Sequence, residues 1–247
     1  MKGMILAGGL ATRLRPLTLV TNKHLLPVYN KPMIFYPIEA MKLLGIKEVL
    51  LSTSPDHSGE FANLLGGGEQ FNLRLYYAVQ KNPKGGIANA ISLAKEFAAD
   101  DKLMVILGDN IFAADRIKPV LEKFKKETKG AVVFGVKISN NARQYGIIEI
   151  DRNGLVLSIE EKPELPKSDI VQTGIYLYDN RVFDFIKQLK PSERGELEVT
   201  DLNNFYLKEK SLTCGFIDWW IDAGTSFDEL LRANNQVSEK VKKGELV

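Results

Sequence analysis

The chain opens on Met1–Ala7, an apolar run that leads directly into Gly8-Gly9-Leu10-Ala11-Thr12-Arg13. That order reads as a buried β-strand ending in a glycine turn, with a cation delivered to the same place. Glycine lets main-chain N–H groups approach an anion closely, and a guanidinium presents planar donors matched to phosphate oxygens. A second cation, Lys23, follows in TNKHLLPV, just before another apolar stretch. The segment points to a polyphosphate-binding turn; the plainer reading is a tight turn with a surface arginine, and the segment alone leaves both open. Two other phosphate motifs are excluded. No Gly-Lys-Ser/Thr follows the glycines, so this is no P-loop. The third spaced glycine of the dinucleotide fingerprint is also missing.

Apolar runs and helical patterns alternate through the first half. Strands are predicted at Gly3–Ala7, Glu48–Thr53, Leu73–Val79, Leu103–Leu107 and Ala131–Ile138, with helices near Pro32–Leu44, His57–Leu65, Ile87–Ala98 and Ile117–Glu127. In the first helix, Ile34, Ile38 and Met41 recur at i, i+4 and i+7, an amphipathic stripe. Such alternation implies βαβ units and an α/β fold: a mixed, mostly parallel sheet with helices on both faces. Ligands of such sheets sit beyond the carboxyl ends of strands.

The second half changes style. Tyr145–Asp151, a turn at Arg152-Asn153-Gly154 and Leu155–Glu161 read as a hairpin. Val171–Tyr178 is a further strand, followed by helical patterns at Arg181–Leu189, Thr200–Lys208 and Ser226–Lys243. The absence of repeats and long linkers predicts one continuous unit with an inserted β-rich substrate lobe.

Composition narrows the function. With 33 basic and 31 acidic residues, a net charge of +2 gives no electrostatic case for nucleic-acid binding, whereas a small anionic substrate needs only a few local cations. The single Cys214, in the strand-like SLTCGFI, rules out an intramolecular disulfide and a cysteine-rich zinc site and reads as a small apolar residue. With only His24 and His57, a multi-histidine metal site is not expected. The opening apolar run is too short for a signal peptide, and no stretch approaches the roughly 20 apolar residues of a membrane-spanning helix. The expected location is cytoplasmic, with no membrane partner.

Carboxylates fall at informative places. Gly108-Asp109-Asn110 comes directly after the apolar run Leu103–Leu107, where the phosphates of a ligand on the first loop would arrive. A carboxylate there suits magnesium, a hard cation that takes one or two carboxylates; the alternative is a turn cap. Asp222, in WWIDAGT, is either a second ligand of the same ion or the N-cap of the last helix. Glu160-Glu161-Lys162 is either a solvated strand end or a sugar site, where a carboxylate accepts hydroxyl hydrogen bonds and a lysine meets a phosphate. Arg194 is either a loop charge or a second phosphate ligand. Gln80, closing a strand ahead of Gly85-Gly86, has both the donor and the acceptor needed to read a base edge.

Taken in order, GMILAGGLATRLRPLT, NKHLLPV, KPMI, GGIANA, LGDNIF, YGIIEI, EEKP, VQTGIYLYD, PSERGELEVTDLNN and WWIDAGT resemble the sugar-1-phosphate nucleotidyltransferases, from Met1 to about Leu230. The resemblance implies a Rossmann-like nucleotidyltransferase fold over 1–247. Its nucleotide-binding part would span about 1–130, its β-rich sugar-phosphate part about 131–225, and a C-terminal helix 226–247. It also implies reaction of glucose 1-phosphate with dTTP to give dTDP-glucose and pyrophosphate, with magnesium. Use of UTP or another sugar 1-phosphate is the close alternative, and a non-catalytic regulatory subunit the distant one. A homo-oligomer, dimer or tetramer, is implied as well.

Carried over by position, Leu6, Gly8, Gly9, Thr12 and Arg13 would hold the nucleotide, and Lys23 the reacting phosphates. Gln80 and Gly86 would meet the base, and Asp109 and Asp222 would bind the metal. Gly146, Glu161 and Lys162 would hold the sugar phosphate, with Gly174, Tyr176 and Arg194 assisting. Arg13, Lys23 and Asp109 would be catalytic. Two departures stand out. Asn141-Ala142-Arg143-Gln144 replaces an Asp-Pro-Glu-Arg stretch found before Tyr-Gly in many relatives. The sequence also stops soon after the WWIDAGT helix, so a regulatory site built from further C-terminal helices is not expected.

Overall fold

The computed structural model describes residues 1–138, 142–152 and 154–246. The chain runs through β1 (Lys2–Ala7), β2 (Pro27–Val28), β3 (Lys31–Pro32), α1 (Phe35–Leu43), β4 (Glu48–Thr53), α2 (Ser58–Leu65) and β5 (Arg74–Val79). Next come α3 (Gly86–Ser92), α4 (Lys95–Ala98), β6 (Leu103–Leu107), β7 (Asn110–Phe112), α5 (Ile117–Lys126) and β8 (Ala131–Lys137). Then follow β9 (Gly146–Ile150), β10 (Val156–Glu161), β11 (Ile170–Tyr178), α6 (Val182–Ile186), α7 (Val199–Lys208), β12 (Leu212–Phe216), β13 (Trp220–Asp222) and α8 (Phe227–Lys242). These elements fall into two compact units, each discontinuous in sequence.

The first unit holds Gly3–Pro83, Ile106–Ala114 and the chain from Trp219 onward. Here β1, β4 and β5 are parallel, in register Ala7 with Thr53 and Thr53 with Val79. Their carboxyl ends therefore finish level, and Gly8, Ser54 and Gln80 leave from one edge. β1 and β4 are buried at every position after the first, whereas β5, at the sheet edge, is half exposed. The stripe Ile34, Ile38 and Met41 is fully buried.

A separate core in this unit packs Ala233 and Val237 of α8 with Ile111 of β7, Ile221 of β13, Val28, Met33 and Tyr36. α8 starts sharply because the Ser226 side chain accepts from the Glu229 N–H at 3.1 Å, in a Ser-x-x-Glu arrangement. Ser226, not Asp222, is thus the cap of the last helix.

The second unit holds Met1–Lys2, Lys84–Val105 and Asp115–Asp218. Its strands run in the order β10-β9-β11-β8-β12, antiparallel except for β8 and β12. β11 is buried at all nine positions, including the polar Gln172 and Thr173. α5 turns Ile117, Leu121 and Phe124 inward. Lys102 Nζ donates to the carbonyls of Phe124 (2.7 Å), Lys125 (3.1 Å) and Glu127, satisfying acceptors that every helix end leaves open.

The mixed α/β architecture is as the alternation implies, and Glu48–Thr53 and Leu103–Leu107 keep their sequence-read bounds. The single helix expected over Ile87–Ala98 is instead α3 and α4, interrupted at Leu93-Ala94. There Ser92 Oγ donates to the Asn89 carbonyl at 2.6 Å, a local bond that competes with the helix ladder. The hairpin is present as β9 and β10, with a register shift between Val156 and Ser158; Asn153 of its turn lies outside the described residues. So does Asn141, and Ala142–Gln144 forms a short 3₁₀ turn. On β12, burial pushes the Cys214 thiol up to about 12, in keeping with a packing role. Among the described residues no helix is long and apolar enough to cross a membrane.

Replacing Ser226 by alanine removes the α8 cap and should cost about 1 kcal/mol of stability, measured by urea unfolding of the whole chain.

Candidate active site

Asp109 and Asp222 are brought together by a two-stranded ribbon. After β6, Gly108 turns the chain. Its N–H donates to Leu6 O at 2.9 Å, and a Cβ there would lie 2.7 Å from the His24 ring. β7 then pairs antiparallel with β13, with Asn110 opposite Asp222, and the Ala223 N–H donates to Asp109 O at 2.9 Å. Trp220 Nε1 donates to Asn110 Oδ1 at 2.6 Å, while Asn110 Nδ2 donates to Asp109 Oδ1 at 3.0 Å, which fixes that carboxylate.

The 3₁₀ turn Lys23–Leu25 supplies the cation. Asn22 Oδ1 caps it, accepting from the His24 N–H at 3.0 Å, and Lys23 Nζ ion-pairs with Asp109 Oδ2. Gly224 closes the opposite side: a Cβ there would lie 2.8 Å from Lys23 Nζ and would run into Asp109 Oδ2.

The electrostatics follow from burial and proximity. Burial opposes ionisation of Asp109, but the Lys23 ammonium overrides it and holds the carboxyl below its usual range. Burial likewise works against the charge on Lys23, and the carboxylates of Asp109 and Asp222 offset this, raising its pKa. Asp222 is raised by burial and then by the negative charge of Asp109. Lys23 and the Gly224 N–H, which donates to Asp222 Oδ1 at 3.2 Å, offset this only in part. His24 is lowered to about 3, by burial and then by Lys23, and is neutral at physiological pH.

The glycine turn borders this cluster. Leu6 and Gly8 are buried, whereas Gly9, Thr12 and Arg13 are exposed. Ala11 at φ 48° sets up the 3₁₀ turn Thr12–Leu14, and the Arg13 charge is felt at Lys23. Gln80 is buried; its N–H donates to Thr53 O at 2.8 Å and its Nε2 to Asn82 O at 3.1 Å. Gly8 lies so close to Gln80 Oε1 that a Cβ would run into it. Sequence reading missed Ser52, Thr53 and Ser54, whose buried hydroxyls have no hydrogen-bond partner at the end of β4. Three consecutive hydroxyls closing an apolar strand were the available signal.

The other expected residues group in the second unit. Gly86, at φ +86°, packs on the backbone of Leu197, where a Cβ would lie 2.6 Å from the carbonyl oxygen. Gly146 of β9 faces Glu161 of β10 across the strand pair. Glu161 accepts from Thr200 Oγ1 at 2.9 Å and lies 3.3 Å from Lys162 Nζ and 4.0 Å from Arg194. Arg194 is half exposed and held by Glu198 at 2.9 Å. Gly174 lies in the register shift of β11 between Gln172 and Tyr176, and Tyr176 stacks on Tyr178 at 5.9 Å. Gln80 and Gly86, expected to share a base, thus belong to different units.

The Nucleotidyl transferase family model matches residues 2–240. The chain belongs to the nucleotidyltransferase family. Among similar curated proteins is the glucose-1-phosphate thymidylyltransferase of Neisseria gonorrhoeae, 48% identical over 91% of this chain and 78% of the relative. The one from Mycolicibacterium smegmatis is 40% identical over 96% and 82%. A crystal structure of a candidate glucose-1-phosphate thymidylyltransferase from Bacillus anthracis, in complex with a sucrose, has a TM-score of 0.89 and 46% identity, covering 96% of this chain and 94% of that one. UDP-glucose pyrophosphorylase complexed with UDP-glucose, 22% identical with a TM-score of 0.84 over 97% and 98% of the two chains, shares the fold.

In this nucleotidyltransferase the glycine at 224 is a steric requirement, so Gly224→Ala should keep the fold, checked by circular dichroism, yet lower turnover by about 10² or more, comparable to loss of one stabilising donor. His24 supplies a pH test. Below its unfolded value of 6.5 the unfolded chain takes up a proton that the folded chain refuses until about pH 3. Stability intact above pH 6.5 should therefore be lost as pH falls, by up to about 1.4 kcal/mol per pH unit from this group. Urea unfolding of His24→Gln between about pH 7 and about pH 4.5 should show a slope shallower by close to one proton.

Proposed function

We propose that this nucleotidyltransferase transfers the thymidylyl group of dTTP to glucose 1-phosphate, giving dTDP-glucose and pyrophosphate. The observation that carries the reading is the buried Lys23–Asp109 pair with Asp222 beside it, next to the glycine turn. The relatives' names supply the substrates.

The second pKa of a phosphate monoester is about 6, so the sugar 1-phosphate is largely a dianion at neutral pH and needs no general base. Its oxygen attacks the α-phosphorus in line, the bond to the β-phosphate bridging oxygen breaks, and pyrophosphate leaves with that electron pair. The obstacle is charge repulsion. Main-chain N–H groups at Gly8 and Gly9, with the side chains of Arg13 and Lys23, offset it by positioning and electrostatic stabilisation. Leu6 and Thr12 complete the phosphate-side wall, and Gln80, in the same unit, takes the base. Gly146, Glu161, Lys162, Gly174, Tyr176 and Arg194 hold the sugar phosphate.

The donor set fits magnesium. A buried and a half-buried carboxylate lie together with a single lysine between them, in a space that a Cβ at Gly224 would fill, and this ion takes one or two carboxylates and completes its shell with phosphate oxygens. Asp109 and Asp222 would hold it, where it would neutralise charge on the triphosphate. A nucleoside triphosphate substrate favours the cytoplasm as the location, and a dimer or tetramer is the assembly to look for by light scattering.

A pyrophosphate-release assay crossing dTTP and UTP with several sugar 1-phosphates should give its highest kcat/KM for dTTP with glucose 1-phosphate, and chelation of divalent ions should abolish it. No release with any pair would defeat the reading. Lys23→Met and Asp109→Asn should each lower turnover by about 10²–10³, with near-normal turnover in either removing that residue from the machinery.

A further inference from the structure

Three neighbouring strands of the second unit place Glu161, Gly146 and Gln172 in one row. Glu161 is the cross-strand partner of Gly146, and the pairing of Val171 with Ile147 sets Gln172 beside Gly146 on its other side. Cross-strand partners project from the same face of a sheet. Because the middle residue is glycine, no side chain stands between the carboxylate and the amide. A Cβ built on Gly146 would lie 3.4 Å from Glu161 Oε2 and 3.7 Å from Gln172 Nε2, so both polar heads border the same gap.

Two residues one turn apart on α7 hold those heads. Thr200 Oγ1 donates to Glu161 Oε2 at 2.9 Å, and Asn203 Nδ2 donates to Gln172 Oε1 at 3.2 Å. Asn203 is itself fixed, because its Oδ1 accepts from the Tyr178 hydroxyl at 2.7 Å. Gln172, Asn203 and Tyr178 are all buried. A buried amide costs free energy unless its polar atoms are used. The Gln172 carbonyl is committed to Asn203. Its Nε2 carries two hydrogens, and the long 3.5 Å approach to the Tyr176 hydroxyl engages one at most, which leaves an N–H at the edge of the gap.

We propose that Gln172 is a specificity-determining residue for the sugar, donating its amide N–H to one ring hydroxyl while Glu161 accepts from the neighbouring one. This rests on the reading of the second unit as the sugar 1-phosphate side. A donor beside an acceptor demands a matched pair of hydroxyls. A site built to hydrogen-bond a hydroxyl rejects the analogue lacking it far more strongly than an apolar wall separates isosteres, since its buried polar group is left unmet.

Gln172→Glu keeps an oxygen for Asn203 and removes the N–H donor, while Gln172→Met removes both at similar length. Pyrophosphate release by the full chain is measured with glucose 1-phosphate and its 2-, 3- and 4-deoxy forms. Both variants should raise KM for glucose 1-phosphate about 10- to 100-fold and leave KM for dTTP within about 2-fold. For one of the deoxy forms, the penalty seen in the wild type should vanish in the variants. Asn203→Leu, which releases the amide, should reproduce the rise in sugar KM. If Gln172→Met does not fold, Gln172→Glu carries the test, with folding checked by near-ultraviolet circular dichroism. A folded Gln172→Glu with unaltered discrimination among the deoxy forms, or with both KM values rising in step, overturns the inference. Absence of pyrophosphate release by the wild type with every sugar 1-phosphate would instead overturn the parent reading.

Discussion

A buried ammonium held against one carboxylate with a second nearby is the arrangement on which the first unit is organised. Removing one partner of a buried pair typically costs roughly 3–5 kcal/mol, because the other is left uncompensated. Lys23 and Asp109 therefore each stabilise the other's charge, and Asp222 adds a second negative charge beside them. The glycine at 108, the Asn110–Trp220 contact and the glycine at 224 all serve that cluster: one lets the chain turn beside His24, one orients Asp109, and one leaves room.

The second unit solves a different problem with different means. Beside Gly146, the Gln172 amide is locked by Asn203 and the Glu161 carboxylate is gripped by a threonine. Charged groups there, Lys162 and Arg194, are more exposed and already share carboxylate partners.

Much of this was legible in the sequence where a single physical signal dominated. Apolar runs ending in glycine or hydroxyl residues located β1, β4 and β6, because a strand buried on both faces has few ways to look otherwise. The break after Ser92 was not legible, since Ile87–Ala98 keeps a helical pattern while the backbone at Leu93 and Ala94 tightens to bonds three residues back. Asp222 reads as a cap because an acidic residue precedes a helix, yet the ribbon with β7 claims it and Ser226, with Glu229 three residues on, takes the cap. The part played by Gln172 was hidden for another reason: its partners come from α7, and pattern along β11 carries no information about a helix residue.

The anchoring of β13 has a mechanical corollary. Asp222 has no long strand of its own; Ile221 and Ala223 on either side are pinned by packing in the core that contains Ala233 and Val237 of α8. A fused domain or a tether that shifted α8 would therefore act on the neighbours of that carboxylate, both through this core and through the bond from Trp219 Nε1 to Gln236 Oε1 at 3.0 Å. α8 is thus a fastener for an acidic group, and its outer, charged face is the safer place to attach anything new.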